Sequence, residues 1–349
     1  MRDLRQLDRL LTGAIGRLTV ASGGGRAARL AMVYGVDKPH DGLAGIPAGT
    51  AMVDHPNVTT LFIDEVPARP FVGVRFNVRV VVRCDVSSLG QPLFQACELR
   101  GSATAPTSDQ ALLDCTHALC KGVEVEDSLF RPQTPTMFTS GVLGHDFVIR
   151  RSVFEHCVDG FSSYNTNAGT TDYDVRVQVL GCIARLAAMW KVPTTRHADG
   201  VSHNDVLGQL QGGKGAVVRG CLVDGTPSST VGDQDAVTPG AGRRCLSAVL
   251  ISSLHPADGA VIDRNWLSNT KFGVEADGAA DLTGTGTVTG NRLTNHVVPI
   301  NLDATQRAGF TVSANVDGAT GAAIGATYQG GGTSTTNGTY GATYGTLTY

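Results

Sequence analysis

The stretch GAVIDRNWL, residues 259–267, carries a small pattern: apolar Ile262, two residues, Asn265, one residue, then apolar Leu267. The same spacing around a Ser, Cys or Asn centres on Cys97, Ser128, Ser152, Cys221 and Asn291, and more loosely on Cys182 and Asn315. Successive centres stand 31, 24, 30, 39, 44, 26 and 24 residues apart, a period in the mid-twenties lengthened by insertions. Composition alone yields roughly three strict matches in such a chain, so six are suggestive of a repeat without proving one. A further match at Ser252 falls only 13 residues before Asn265, too close to begin another unit.

The text around the centres sharpens the reading. FVIRRSVF (147–154), VRVQVLGC (175–182), GAVVRGCLV (215–223) and FTVSANV (310–316) are β-branched runs, each followed by polar or glycine-rich turn residues. A unit of roughly 24 residues with about three short strands and no helix is one coil of a parallel β-solenoid. The helices that a βαβ fold needs between parallel strands are missing. Stacked coils bury columns of Val, Ile and Leu, and the template centre falls beside a corner, where small or amide side chains fit. Asn265, Asn291 and Asn315 are then expected to bond one another in a ladder, or else to act as independent turn residues; Cys97, Cys182 and Cys221 fill the slot as small apolar groups.

Outside the repeat the text differs. Leu4, Leu7, Leu10 and Leu11, followed by Ala14, Ile15 and Leu18, give residues 1–20 an amphipathic helical face. Ala21–Gly25 reads as a flexible joint behind it, so 1–25 form an anchoring helix with its linker. From about residue 30 the text is extended. Val74, Phe76, Val78, Val80 and Val82 alternate with mostly polar residues, making 26–85 a β-rich capping segment. The solenoid is expected over 86–317. Residues 318–349 form a Gly/Thr/Tyr tail in which Tyr328, Tyr340, Tyr344 and Tyr349 either stack on carbohydrate or sister chains or belong to a mobile tail.

Composition fits this picture and excludes others. The 349 residues include 44 glycines, yet only 17% are charged, where about a quarter is usual. Glycine is expected to turn the corners. A formal charge of −3 without a basic stripe argues against nucleic acid as a partner. No apolar run approaches a membrane span, and MRDLRQLDRLLTGAIG lacks a secretory apolar region, so neither membrane insertion nor an export signal is expected. The eight cysteines are scattered and form no CxxC pair, which reads as reduced, mostly buried thiols. Gly212-Gly213-Lys214-Gly215 mimics a phosphate loop but lacks the strand-to-helix setting, and no cofactor or metal is expected.

The densest cluster of chemistry is His197-Ala-Asp199-Gly-Val-Ser-His203-Asn-Asp205, followed by Gln209 and Gln211. In a strand, residues i and i+2 share a face, pairing His197 with Asp199 and His203 with Asp205 for acid–base work. If Gly200–Ser202 makes a corner, the two pairs lie on different faces. A partner carboxylate then comes from a neighbouring coil, where Asp159, Asp172, Asp174 and Asp224 are the candidates. The bland reading is that Asp-Gly and Asn-Asp are turn chemistry.

FVIRRSVFEHCVDGFS (147–162), HADGVSHNDVLGQLQGGKGAVVRGCLVDG (197–225) and AVIDRNWLSN (260–269) resemble the right-handed parallel β-helix proteins of the pectate-lyase-like kind. Within these the chain looks most like the minor tail or tail-spike proteins of phages that infect actinobacteria, over about residues 60–317. The resemblance implies a virion structural protein assembled in the host cytoplasm. It implies other tail proteins and a homotrimer as partners, with host cell-surface glycan as the target. The catalytic aspartate signatures of polygalacturonases sharing the fold are not evident. A polysaccharide lyase or glycoside hydrolase, with His197, Asp199, His203, Asp205 and Asp159 as catalytic candidates, is the rival, and a bacterial surface adhesin a weaker third. The inserts at about 160–175, 185–197 and 224–245 are the places where contacts are expected.

Overall fold

The computed structural model describes residues 25–56, 60–163, 176–211, 215–251, 258–276, 285–303, 309–330 and 333–336. Its regular secondary structure is almost all strand. Three sheets stack along the chain; in each, as far as Asn315–Asp317, a strand pairs in parallel with the strand three further on, and beyond it Ala323–Ile324 and Thr333–Thr336 add as antiparallel strands. One coil therefore passes through all three sheets in turn, named C, A and B for its first, second and third strand. Phe147–Arg150, Val153–Glu155 and Phe161–Ser163 form one such coil, and Ala260–Asp263, Trp266–Ser268 and Thr270–Ala276 another. This is the arrangement of a parallel β-helix. Strands join the stack from Val53–Asp54 onward, and Thr327–Gly330 is still paired to sheet B.

The core is made of columns. In sheet C, Val125, Ile149, Val179, Val218, Ile262 and Val288 lie in register and are wholly buried. Full burial of such a side chain contributes about 1.5–3 kcal/mol, so one column is a large share of a domain's net stability. The alternation from Val74 to Val82 is split between two sheets: Val74–Phe76 lies in sheet A and Val80–Val82 in sheet B, with a corner between. Phe76, Val78, Val80 and Val82 all stay inside, because the corner keeps the alternation in phase.

All eight template centres occupy one corner, between sheets C and A. The residue before each is left-handed: Ala96, Asp127, Arg151, Gly181, Gly220, Arg264, Gly290 and Ala314 have φ between 49° and 67°. Five of these are not glycine, so the expectation that glycine turns the corners fails for most of this column. A left-handed non-glycine costs about 1 kcal/mol, which the ladders on both sides hold in place.

The asparagine ladder is present. Asn265 Nδ2 donates to Asn291 Oδ1 at 2.9 Å, and Asn291 Nδ2 to Asn315 Oδ1 at 2.9 Å. Each amide also donates to the preceding coil: Asn265 to the Val218 carbonyl, Asn291 to Ile262 and Asn315 to Val288. The thiols do more than fill space. Cys182 and Cys221 point their Sγ atoms at the equivalent carbonyls, of Ile149 and Val179. All eight cysteines are free and seven are buried, as the sequence suggested.

Charge is scarce but concentrated. On the outside of sheet A, Asp54, Arg75, Glu98, Arg131, Glu155, Arg185 and Asp41 alternate in one chain of ion pairs, with Glu98 and Glu155 nearly buried.

The expected helix at residues 1–20 lies outside the described residues. A helix the sequence reading passed over, α1 (Gly25–Val33), begins where a flexible joint was expected to end. Its GRAARLAMV text is rich in good helix formers, which the preceding glycine run obscured. Met32 is fully buried and packs with Ala44 on Val153 and Ile183 of sheet A. At Gly220 an added Cβ would meet the Met32 carbonyl at 2.2 Å, so glycine there admits α1 against the corner.

Candidate functional site

Sheet B carries a groove of about 930 Å³ on its outer face. Its floor is one row of side chains crossing five coils. Leu143, Ser162, Gln209, Leu250 and Glu275 stand in register and all line it. Four inter-strand steps make the row about 19 Å long, parallel to the stacking direction. The connections from sheet A to sheet B supply residues along the groove. Asp109, Phe138, Asp159, His197 and Pro239 lie in or at the end of five successive connections. The sequence repeats the floor because the coils repeat, and varies the walls because these connections carry the insertions.

The five candidate residues are all gathered here, but not in the pairs the i, i+2 rule gave. Residues 193–200 are turns, with Arg196 and His197 both donating to the Pro193 carbonyl and Gly200 to that of His197. The turn brings His203 Nε2 to 3.0 Å from Asp199 Oδ2 and stacks the His197 and His203 rings, centroids 4.0 Å apart. Hence Asp199 serves His203, and Gly200–Ser202 unites the two histidines instead of parting them. Burial lowers the His197 pKa, with the nearby His203 and Arg196 adding to the effect and Asp199 and Asp109 opposing it, which favours the neutral ring.

Asp205 is paired with Asp159, not with His203. Asp159 Oδ1 accepts the Asp205 backbone N–H at 2.9 Å, and Oδ2 accepts from Gln209 Nε2 at 3.4 Å. Burial pushes the Asp159 carboxyl up to about 7, opposed by that backbone N–H. Asp205 has no exposed surface. Its pKa is raised well above the ordinary carboxylate value by burial, then by the charges of Asp159 and Glu275, with Ser247 and Gln209 opposing. Neither Asp205 oxygen has a donor in hydrogen-bonding geometry. The two carboxyls therefore titrate as a unit, and the pair keeps a proton near neutral pH.

A bulge positions Asp205. Strand Asp205–Leu210 takes three steps from Asp205 to Gly208 where its neighbour takes two, from Ser247 to Val249. Gly208, with φ 151°, stands in the wide turn of this bulge. A Cβ there would lie 2.1 Å from the Phe161 carbonyl oxygen, so the backbones approach only because the side chain is missing.

Three further groups were not expected from the sequence. Arg196 donates to Asp109 Oδ1 at 2.6 Å and lies 5.0 Å from the Phe138 ring centroid. Lys271 and Glu275 are both nearly buried on the groove wall and floor. Burial lowers the Lys271 pKa against the opposing pull of Glu275 and Asp199. Glu275 accepts from Ser247 Oγ at 2.6 Å. Their signal was present in TKFGVEA (270–276), where Lys271 and Glu275 alternate with Phe272, Val274 and Ala276. Of the other candidate partners, Asp224 lies away from the groove. It belongs to sheet A and accepts from Asn269, which accepts in turn from Asn295, a second polar ladder. Asp172 and Asp174 lie outside the described residues. Among the described residues no three His, Cys, Asp or Glu groups are arranged to hold a metal ion.

What this arrangement can do is bind a linear polar ligand along five coils and exchange a proton with it at one point. Comparison of the chain with family models, with curated proteins and with solved structures gave no match.

Proposed function

We propose that this chain is a glycan-binding β-solenoid, a minor tail or tail-spike subunit of an actinobacterial phage that attaches to the host surface through the sheet B groove. The observation that carries the glycan reading is the row Leu143–Ser162–Gln209–Leu250–Glu275, a floor as long as a short oligosaccharide. The tail assignment, the right-handed winding and the trimer rest on the resemblance of residues 60–317. Two measurements test the proposal. Purified protein is expected to bind host envelope glycan, and a chain-specific label to decorate the virion tail in electron micrographs. A label absent from the tail sinks the assignment.

A second reading, cleavage of the bound glycan, is favoured by the Asp159–Asp205 pair, whose burial keeps a proton available near pH 7. Incubation with envelope polysaccharide, followed by assay for new reducing or unsaturated ends, distinguishes the readings. Release abolished in Asp159→Asn and Asp205→Asn favours an enzyme; binding without release favours an adhesin.

A further inference from the structure

We infer that the groove selects an uncharged glycan and rejects one bearing uronic-acid carboxylates. This rests on the glycan reading above and narrows it to a substrate class.

The argument begins with the cations. Among the described residues, the lining contains Arg196 and Lys271 against five acids, Asp109, Asp159, Asp199, Asp205 and Glu275. Arg196 is already engaged by Asp109 at 2.6 Å, with its guanidinium carbon 5.0 Å from the Phe138 ring centroid. Lys271 lies in the fields of Glu275 and Asp199, its Nζ 4.9 Å from the Phe272 ring centroid. Both cations thus have acidic partners within the groove. A ligand carboxylate would have to draw one of them off its acid, and at Lys271 the acid left behind, Glu275, is shut off from water.

Hydrogen-bond supply points the same way. Asp205 is buried, lines the groove, and has no donor in bonding geometry at either oxygen. A sugar hydroxyl both gives and accepts a hydrogen, and so satisfies a carboxyl in either protonation state; a carboxylate can only accept. Gln211 donates to Gln209, and both line the groove, a pair of amides that can meet hydroxyls as donor and acceptor. The floor also offers Leu143 and Leu250, apolar ground for the C–H face of a sugar ring.

The test uses the full-length chain and calorimetric titration at pH 7 with two probes of matched length: neutral arabinan or galactan oligosaccharides, and oligogalacturonate. The neutral probe is expected to bind at least about tenfold more tightly. Asp205→Asn and Gln209→Ala, each confirmed folded by circular dichroism, should weaken it about tenfold; Gln209 is on the outer face of its strand, so its loss spares the core. Glu275→Gln, which removes an acid facing Lys271, should shift preference toward the uronate several-fold. Equal or tighter uronate binding by the wild type overturns the inference while leaving the glycan reading intact. Failure of both probes and of host envelope glycan overturns the glycan reading itself, and the inference with it.

Discussion

Asn291 takes part in six hydrogen bonds: two to Asn315 Oδ1, one to the Ile262 carbonyl, two from Asn265, and one accepted by its own carbonyl from the Val316 N–H. Truncation strands the Asn265 backbone N–H and side-chain amide, both buried. Asn291→Ala should therefore cost about 2–4 kcal/mol, read as a lower urea midpoint, whereas a turn asparagine of no structural consequence would cost less than about 1. Asp159 makes a prediction of opposite character. Its folded value near 7 stands above the ordinary carboxylate value of about 4, so between those the folded state holds a proton that the unfolded chain has released. The stability it contributes is fully present below about pH 4 and is lost as the pH rises toward 7. Asp159→Asn keeps an oxygen for the Asp205 N–H and removes that dependence. Relative to wild type the variant should gain on the order of 2–4 kcal/mol between pH 4 and 7 in urea midpoints; a constant difference across that range refutes the assignment.

At the scale of elements, the corner between sheets C and A was legible because its chemistry is local. A left-handed residue, a small donor and two inward apolar residues are enough to specify it, and the spacing of Asn265, Asn291 and Asn315 offered a ladder as one of two readings. The groove walls were not legible in the same way. His197, Asp199 and His203 look like strand residues by i, i+2 spacing, yet Pro193 and Gly200 turn the chain, so their partners are set by hydrogen bonds that span several residues. Lys271 and Glu275 were readable from alternation in TKFGVEA but carried no motif to draw attention. The bulge at Asp205–Gly208 was invisible, since it exists only by comparison with Ser247–Val249 one coil on. Its requirement for glycine is testable. Gly208→Ala drives a methyl into the Phe161 backbone, which cannot yield as a side chain would, and should cost about 3 kcal/mol or more. Ligand binding at the groove should weaken with it. The same substitution at Gly90, away from the groove and with nothing within 4 Å of an added Cβ, supplies the control: its φ of 65° is strained, but there is no clash.

The whole molecule joins these corners into three continuous sheets, and its thiols report on that continuity. Seven of the eight are buried, and burial raises those of Cys157 and Cys245, away from the reactive thiolate. An aromatic disulfide reagent applied to the native protein should label at most one thiol, Cys84, and all eight after denaturation. Several labelled without denaturant would mean that coils open independently. Low overall charge remains compatible with stability because the polar links run along the stack, as amide and thiol ladders inside and the ion-pair chain from Asp54 to Asp41 outside.

α1 and the loop after it touch the stack at widely separated levels. Arg29 binds Asp127, the Gly45 N–H meets the Arg151 carbonyl, Asp41 holds Arg185, and Gly35 lies against Gly220 and Arg264. These seats span residues 127 to 264, more than a third of the chain. A ribosome makes residues 25–45 long before it makes Arg264, so this early segment cannot complete its docking until the coils from Asp127 to Arg264 exist. The solenoid has to wind first. Only a wound stretch of several coils presents the full surface this strap closes over, and its docking ties together coils that otherwise know only their neighbours.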